Sequence, residues 1–261
     1  MATAQYDYSG PTNQTRLFVA SALWAAAIVP AAWLSSQFLS IPGAFGASFF
    51  WLPQIFMVTG AIWLGPYGWL AAAVGTFLGG ALAGSALAIN FAQNPIPAFF
   101  GNTLLAWALF RLFRVRVGGG ASGVPSAKVL LGILAVVASI VITMVGGYLV
   151  GPVLGRWGYA VAFGLTLVGW GLLYLLGARN LTVNRDIVLA VLAVVLSSLA
   201  SAILGAVAWA TVGGMGYRAA FSLVFPGWFL GDTVAGSLGI AVLWAFHREM
   251  KRLRLVWRPV D

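Results

Sequence analysis

The chain has 261 residues, of which 61% are hydrophobic and 7% charged, a balance that excludes a water-soluble domain of this size and points to an all-α protein held in a lipid bilayer. It has no cysteine, which removes disulfides, thiolate metal sites and thiol nucleophiles together. The formal net charge of +9 would suit nucleic acid, but its placement along the chain serves membrane topology instead, so no nucleic-acid partner is expected.

In chain order, residues 1–16 form a polar N-terminal tail that carries Asp7 and has no basic stretch ahead of a short apolar core. It is not expected to be a cleaved signal peptide. Eight apolar runs follow, each near the length of about 20 residues that a helix needs to cross roughly 30 Å of hydrocarbon: 17–38, 46–66, 67–90, 97–114, 127–150, 158–177, 186–211 and 222–246. Run length argues for helices over a barrel, whose strands alternate over about ten residues. The expected fold is therefore a polytopic bundle of about eight transmembrane helices.

The second run contains Pro53, which removes an intrahelical bond and predicts a kink flanked by Trp51 and Gln54. The third carries Gly75, Gly79, Gly80 and Gly84, overlapping small-x-x-x-small patterns that let a neighbouring backbone come close and predict packing within the chain. Ala22 and Ala26 on the first helix, and Gly231, Ala235 and Gly239 on the eighth, carry the same pattern.

The fourth run opens on Phe99-Phe100-Gly101-Asn102-Thr103, and the eighth on Phe229-Leu230-Gly231-Asp232-Thr233, each after a proline (Pro97, Pro226). The Gly-rich linker 118–126 separates a first half, 17–117, from a second, 127–246, so the spacing of these runs suggests two parallel four-helix repeats. Twelve of the cations, from Arg16 to Arg258, fall on one face of this arrangement, and only Arg156 and Arg218 on the other. By the positive-inside rule both termini are cytoplasmic, in a multi-pass protein of the inner membrane. The basic tail 247–261, with apolar residues interleaved, is read as seated in anionic headgroups or docked to a cytoplasmic protein partner.

Little catalytic chemistry is available. Both lysines lie at the cytoplasmic boundary, which rules out a retinal Schiff base, and His247 is the only histidine, which excludes bis-histidine haem. One carboxylate at depth cannot assemble a zinc or di-metal site, and neither a Ser–His pair nor a phosphate-binding loop is present. The protein is expected to be no enzyme and to need no cofactor or metal.

What remains at depth is polar but sparse: Gln54, Asn102, Thr103, Asp232 and Thr233, with Thr76, Asn90, Asn94 and some serines. Asp232 is the one acidic residue inside an apolar run, and a carboxylate there marks a functional site by default. Asn102 and Asp232 should occupy corresponding outer-half positions facing one central cavity. Two roles stay open for them: capping or interhelical hydrogen bonding, and contact with a ligand. Asp232 would need Arg218, Arg156 or a ligand as its cation, unless it keeps its proton.

Phe50-Trp51-Leu52-Pro53, Gly101-Asn102-Thr103-Leu104 and Trp228-Phe229-Leu230-Gly231-Asp232, in that order, resemble motifs of the bacterial membrane-associated sensor domain of the first type, an eight-helix integral membrane sensor. The resemblance implies a ligand-sensing membrane region with Trp51, Pro53, Asn102, Trp228 and Asp232 as functional positions. The chain departs from the pattern at Leu105, where an acid is frequent, and it ends without the usual kinase or cyclase output domain. The expected function is thus sensor-like binding of a small molecule, with Asp232, Asn102, Trp228, Trp51 and Gln54 as ligand contacts and a protein partner as the output. Pro53, Gly101, Gly231, Thr103, Thr233, Gly75 and Gly79 are expected to be structural. A second resemblance, to the substrate-binding S-components of energy-coupling-factor vitamin transporters, implies a transport role, and a structural subunit of a larger membrane complex is a third reading.

Overall fold

The computed structural model describes residues 11–39, 48, 50–117 and 185–257. The expected linker 118–126 and the expected fifth and sixth helices, 127–150 and 158–177, lie outside the described residues. Among the described residues the chain is all-helical: α1 (Pro11–Phe38), α2 (Pro53–Leu64), α3 (Pro66–Leu82), α4 (Leu87–Gln93), α5 (a π-helical stretch Pro97–Leu105 continued by Ala106–Leu112), α6 (Arg185–Thr211) and α7 (Tyr217–Arg252, with a π-helical stretch at Ala220–Val224). Three of these, α1, α6 and α7, are long and apolar enough to cross a membrane. Phe18, Leu23, Leu70, Leu82 and Phe91 point outward and exposed, as a lipid-facing surface requires.

Several element boundaries differ from the sequence-based expectation. Pro53 does not kink a longer helix; it is the first residue of α2, where a missing N–H costs no intrahelical bond. That leaves α2 with 12 residues, about 18 Å of helix, too short to span hydrocarbon alone. The expected third helix stops at Leu82, because Gly84 adopts φ +83° and turns the chain into the separate α4. At the other end of the chain α7 continues to Arg252, so the first six residues of the basic tail, 247–252, are the end of the helix.

The packing contacts fix the direction of each helix. Trp24 of α1 reaches Phe56 and Gly60 of α2, while Ser35 reaches Leu52, so α1 and α2 are antiparallel. Ile28 and Ala32 of α1 meet Gly75 and Gly79 of α3, which makes that pair parallel. Gly205 faces Trp228 while Val194 faces Gly236, so α6 and α7 are antiparallel. Trp51 bonds Gly231 and Trp63 bonds His247, which sets α2 parallel to α7. Thus α1, α3 and α6 run one way, and α2, α5 and α7 the other.

The glycine patterns explain how these backbones approach. A Cβ at Gly75 would lie 2.6 Å from Ile28 Cγ2, and one at Gly79 2.9 Å from the Val29 carbonyl. α1 therefore meets α3 through Ile28, Val29 and Ala32, whereas Ala22 and Ala26 are exposed, contrary to the expectation that they would form its close-packing face. Gly239 on α7 sits against Ile55 and Val58 of α2, and Gly84 serves the turn instead of a helix contact.

One end of the bundle gathers Leu17, Trp63, Leu64, Phe110, Val115, Ala190, Met250 and Val256 into a single apolar core. Arg16, Arg111, Arg114, Arg116, Arg185, Arg248, Lys251, Arg252 and Arg254 cluster in the chain around that end, while Arg218 stands at the opposite end, at the start of α7. His247 is buried here and its Nδ1 accepts from Trp63 Nε1 at 3.1 Å. Substituting Gly79→Leu should overpack the α1–α3 contact and destabilise the purified protein by about 1–3 kcal/mol, read as a lower unfolding midpoint in detergent.

Candidate functional site

The site is built where α2, α5, α6 and α7 meet. Gln54 occupies the second position of α2, Asn102 the π-helical part of α5, Asp232 the middle of α7, and Ser201 the middle of α6. All four are buried; Gln54, Asp232 and Ser201 are wholly inaccessible and Asn102 is 2% exposed.

They form one hydrogen-bonded chain. The Asn102 Nδ2 amide donates to Asp232 Oδ2 at 2.8 Å and to Ser201 Oγ at 2.9 Å. The Asn102 carbonyl accepts from Gln54 Nε2 at 3.1 Å. Asn102 thus links three other helices through one planar group, using both its donors and its acceptor.

Local structure aims each member. Pro97 opens the π-helical stretch, and a π turn carries a longer hydrogen-bond span than an α turn, which rephases the side chains along it. The Thr103 hydroxyl donates to the carbonyls of Ala98, at 3.0 Å, and Phe99, at 2.8 Å, and so closes that widened turn. Gly101 lies against the Ser201 backbone, where a Cβ would be 2.6 Å from Ser201 Cα. Gly231 lies against the Ser48 carbonyl, and its own carbonyl accepts from the Trp51 N–H at 3.3 Å. Gly236, one turn beyond Asp232, leaves room for the Gln54 side chain, whose Cγ would lie 3.2 Å from a Cβ there.

The structure therefore brings together three of the five expected ligand contacts, Gln54, Asn102 and Asp232. The two tryptophans stand apart. Trp51 packs with Ile28, Ala32, Met57 and Ala98, whereas Trp228 packs with Ala202 and Val224 and covers Gly205. Neither Asn102 nor Asp232 caps a helix: both lie inside helical segments, and the starts of the π-helical stretch of α5 and of the Phe225–Arg252 segment carry no side-chain cap. Arg218 is not the counter-ion of Asp232, since it is exposed 14 residues earlier on the same helix, about 21 Å away along the axis. Arg156 lies outside the described residues.

The matching runs do not fold alike. Gly101-Asn102-Thr103 is π-helical, whereas Gly231-Asp232-Thr233 lies in regular α-helix beyond its own π-helical stretch. Thr103 bonds its own helix, while the Thr233 hydroxyl has no hydrogen-bond partner among the described residues.

Sequence reasoning missed Ser198 and Ser201. Ser197-Ser198-x-x-Ser201 places three buried hydroxyls within little more than one turn of an apolar helix, and that clustering was the available signal. Among the described residues no group of three or more His, Asp or Glu side chains could hold a metal ion.

Replacing Asn102 by Leu should leave the Asp232 carboxyl, the Gln54 amide and Ser201 short of partners and lower the unfolding midpoint. In a double-mutant cycle with Asp232→Leu, the pair should couple by about 0.6 kcal/mol, the average for hydrogen bonds between transmembrane helices, and by no more than about 1.7 kcal/mol. No family model, curated protein or solved structure matches this chain.

Proposed function

We propose that the chain is a non-enzymatic, multi-pass inner-membrane protein of eight crossings in two four-helix halves, with both termini in the cytoplasm. Its function is to bind a small solute from the outer side at Asp232 and to pass that state to a protein partner, as a sensor-like module does. The observation that carries the reading is the convergence of Gln54, Asn102 and Asp232, from three helices, on one buried hydrogen-bonded chain. A carboxyl group at membrane depth with no lysine or arginine beside it among the described residues is costly as a mere packing element.

The topology rests on two supports. The alternating helix directions agree with the order of the predicted spans, and the crowding of cations at the Trp63–Met250 end supports a cytoplasmic location for that end. Because the chain has no cysteine, single cysteines report topology directly. Gly214→Cys in intact cells should react with a membrane-impermeant maleimide, whereas Arg254→Cys should react only after permeabilisation.

Binding is tested by thermal shift of the detergent-purified protein across a metabolite library. A solute at a hundred times its Kd should stabilise the wild type by about 2.7 kcal/mol. Asp232→Asn should abolish that shift. A library without hits, together with stable co-purification of a fixed membrane partner, would favour a structural subunit. Labelled vitamin uptake that depends on a co-purifying ATPase would favour a transporter component.

A further inference from the structure

The hydrogen-bond polarity of the site carries a more specific conclusion. An ionised carboxylate only accepts, so Asp232 turns the Asn102 amide nitrogen toward itself. The Asn102 carbonyl must then face Gln54 and takes the Gln54 amide nitrogen. That orientation in turn leaves Gln54 Oε1 as an outward acceptor, and it accepts from no group among the described residues. Asp232 Oδ1 has no hydrogen-bond partner there either, nor does the hydroxyl of Ser198, which stands one turn from Ser201 on the same helix. Three buried oxygens, one of them from a carboxylate, therefore lack a hydrogen-bond partner on α2, α6 and α7, which pack together at Gly236: that glycine, one turn from Asp232, faces Gln54 and Val194, and Val194 is one turn from Ser198.

We propose that Asp232 Oδ1, Gln54 Oε1 and Ser198 Oγ bind a small monovalent cation of the sodium type. The charge balance sets the valence: one carboxylate with otherwise neutral oxygens neutralises a single positive charge, whereas a divalent ion in a dry site is usually held by more than one acid. The donor set sets the class, because hard oxygens without imidazole or thiolate suit an alkali cation and not a transition metal. Asn102, itself bonded to Ser201, holds the carboxylate by Oδ2, which leaves Oδ1 for the ion. The proposal rests on Asp232 being a binding position and names its ligand as an ion.

The test compares unfolding midpoints of the purified full chain in sodium chloride and in choline chloride at equal ionic strength. Sodium should raise Tm along a saturating curve, by about 5 °C at a hundred times Kd. Asp232→Asn should remove the dependence. Ser198→Ala, a smaller change that keeps the fold even if Asp232→Asn does not, should shift the sodium midpoint upward by roughly tenfold. Identical wild-type curves in sodium and choline would overturn the cation, as would a sodium shift that survives in Asp232→Asn. If sodium has no effect and Asp232→Asn is as stable as wild type, a proton shared between Asp232 Oδ1 and Gln54 Oε1 replaces the cation. If sodium has no effect but a library solute stabilises wild type and not Asp232→Asn, the ion is wrong and the solute-binding reading stands.

Discussion

A carboxyl group buried among apolar helices must have its lone pairs met by the protein or by something the protein binds, and the arrangement around Asp232 follows from that demand. Asn102 answers most of it. One amide from α5 donates to α7 and α6 and accepts from α2, so four helices share a single polar junction. Removing Asp232 would not merely delete a charge; it would release the orientation of Asn102 and, through it, of Gln54.

Polar side chains this short can meet only if their backbones come close, and each member of the junction has a glycine in support. Gly101 precedes Asn102 and rests on the Ser201 backbone, Gly231 precedes Asp232 and rests on Ser48, and Gly236 makes room for Gln54. Small residues and polar groups are usually treated as separate means of helix association in lipid. Here the first is the geometric condition of the second.

Part of this was legible in the sequence. The all-helical, membrane-type character followed from composition, and Asn102 and Asp232, which the fold joins by a hydrogen bond, could be singled out by their place inside apolar runs. Gln54 could be nominated as a rare amide at depth, but nothing in its spacing indicates that it bonds Asn102, because that contact depends on where α2 begins. The start of α2 was misread for a physical reason: a proline inside an apolar run is compatible with a kink or with a first turn, and only the packing of Ser48 and Trp51 on Gly231 selects the second. Ser201 was hidden because serine is common in apolar helices and gains meaning only from the amide opposite. The π-helical form of residues 97–105 had no signal beyond its flanking prolines and Gly101.

The parallel pair α2 and α7 is fastened twice. At one end the Trp51 N–H bonds the Gly231 carbonyl; at the other Trp63 bonds His247, and the Trp257 N–H bonds the Trp63 carbonyl at 2.7 Å while its ring lies over Gly65. With both ends pinned along about 18 Å of helix, the two form a single strut. Gln54 and Asp232 ride on that strut, and Asn102 and Ser201 belong to the helices beside it. Any displacement of the strut against the helices beside it would therefore move Gln54 and Asp232 together past the Asn102 amide that bonds them both.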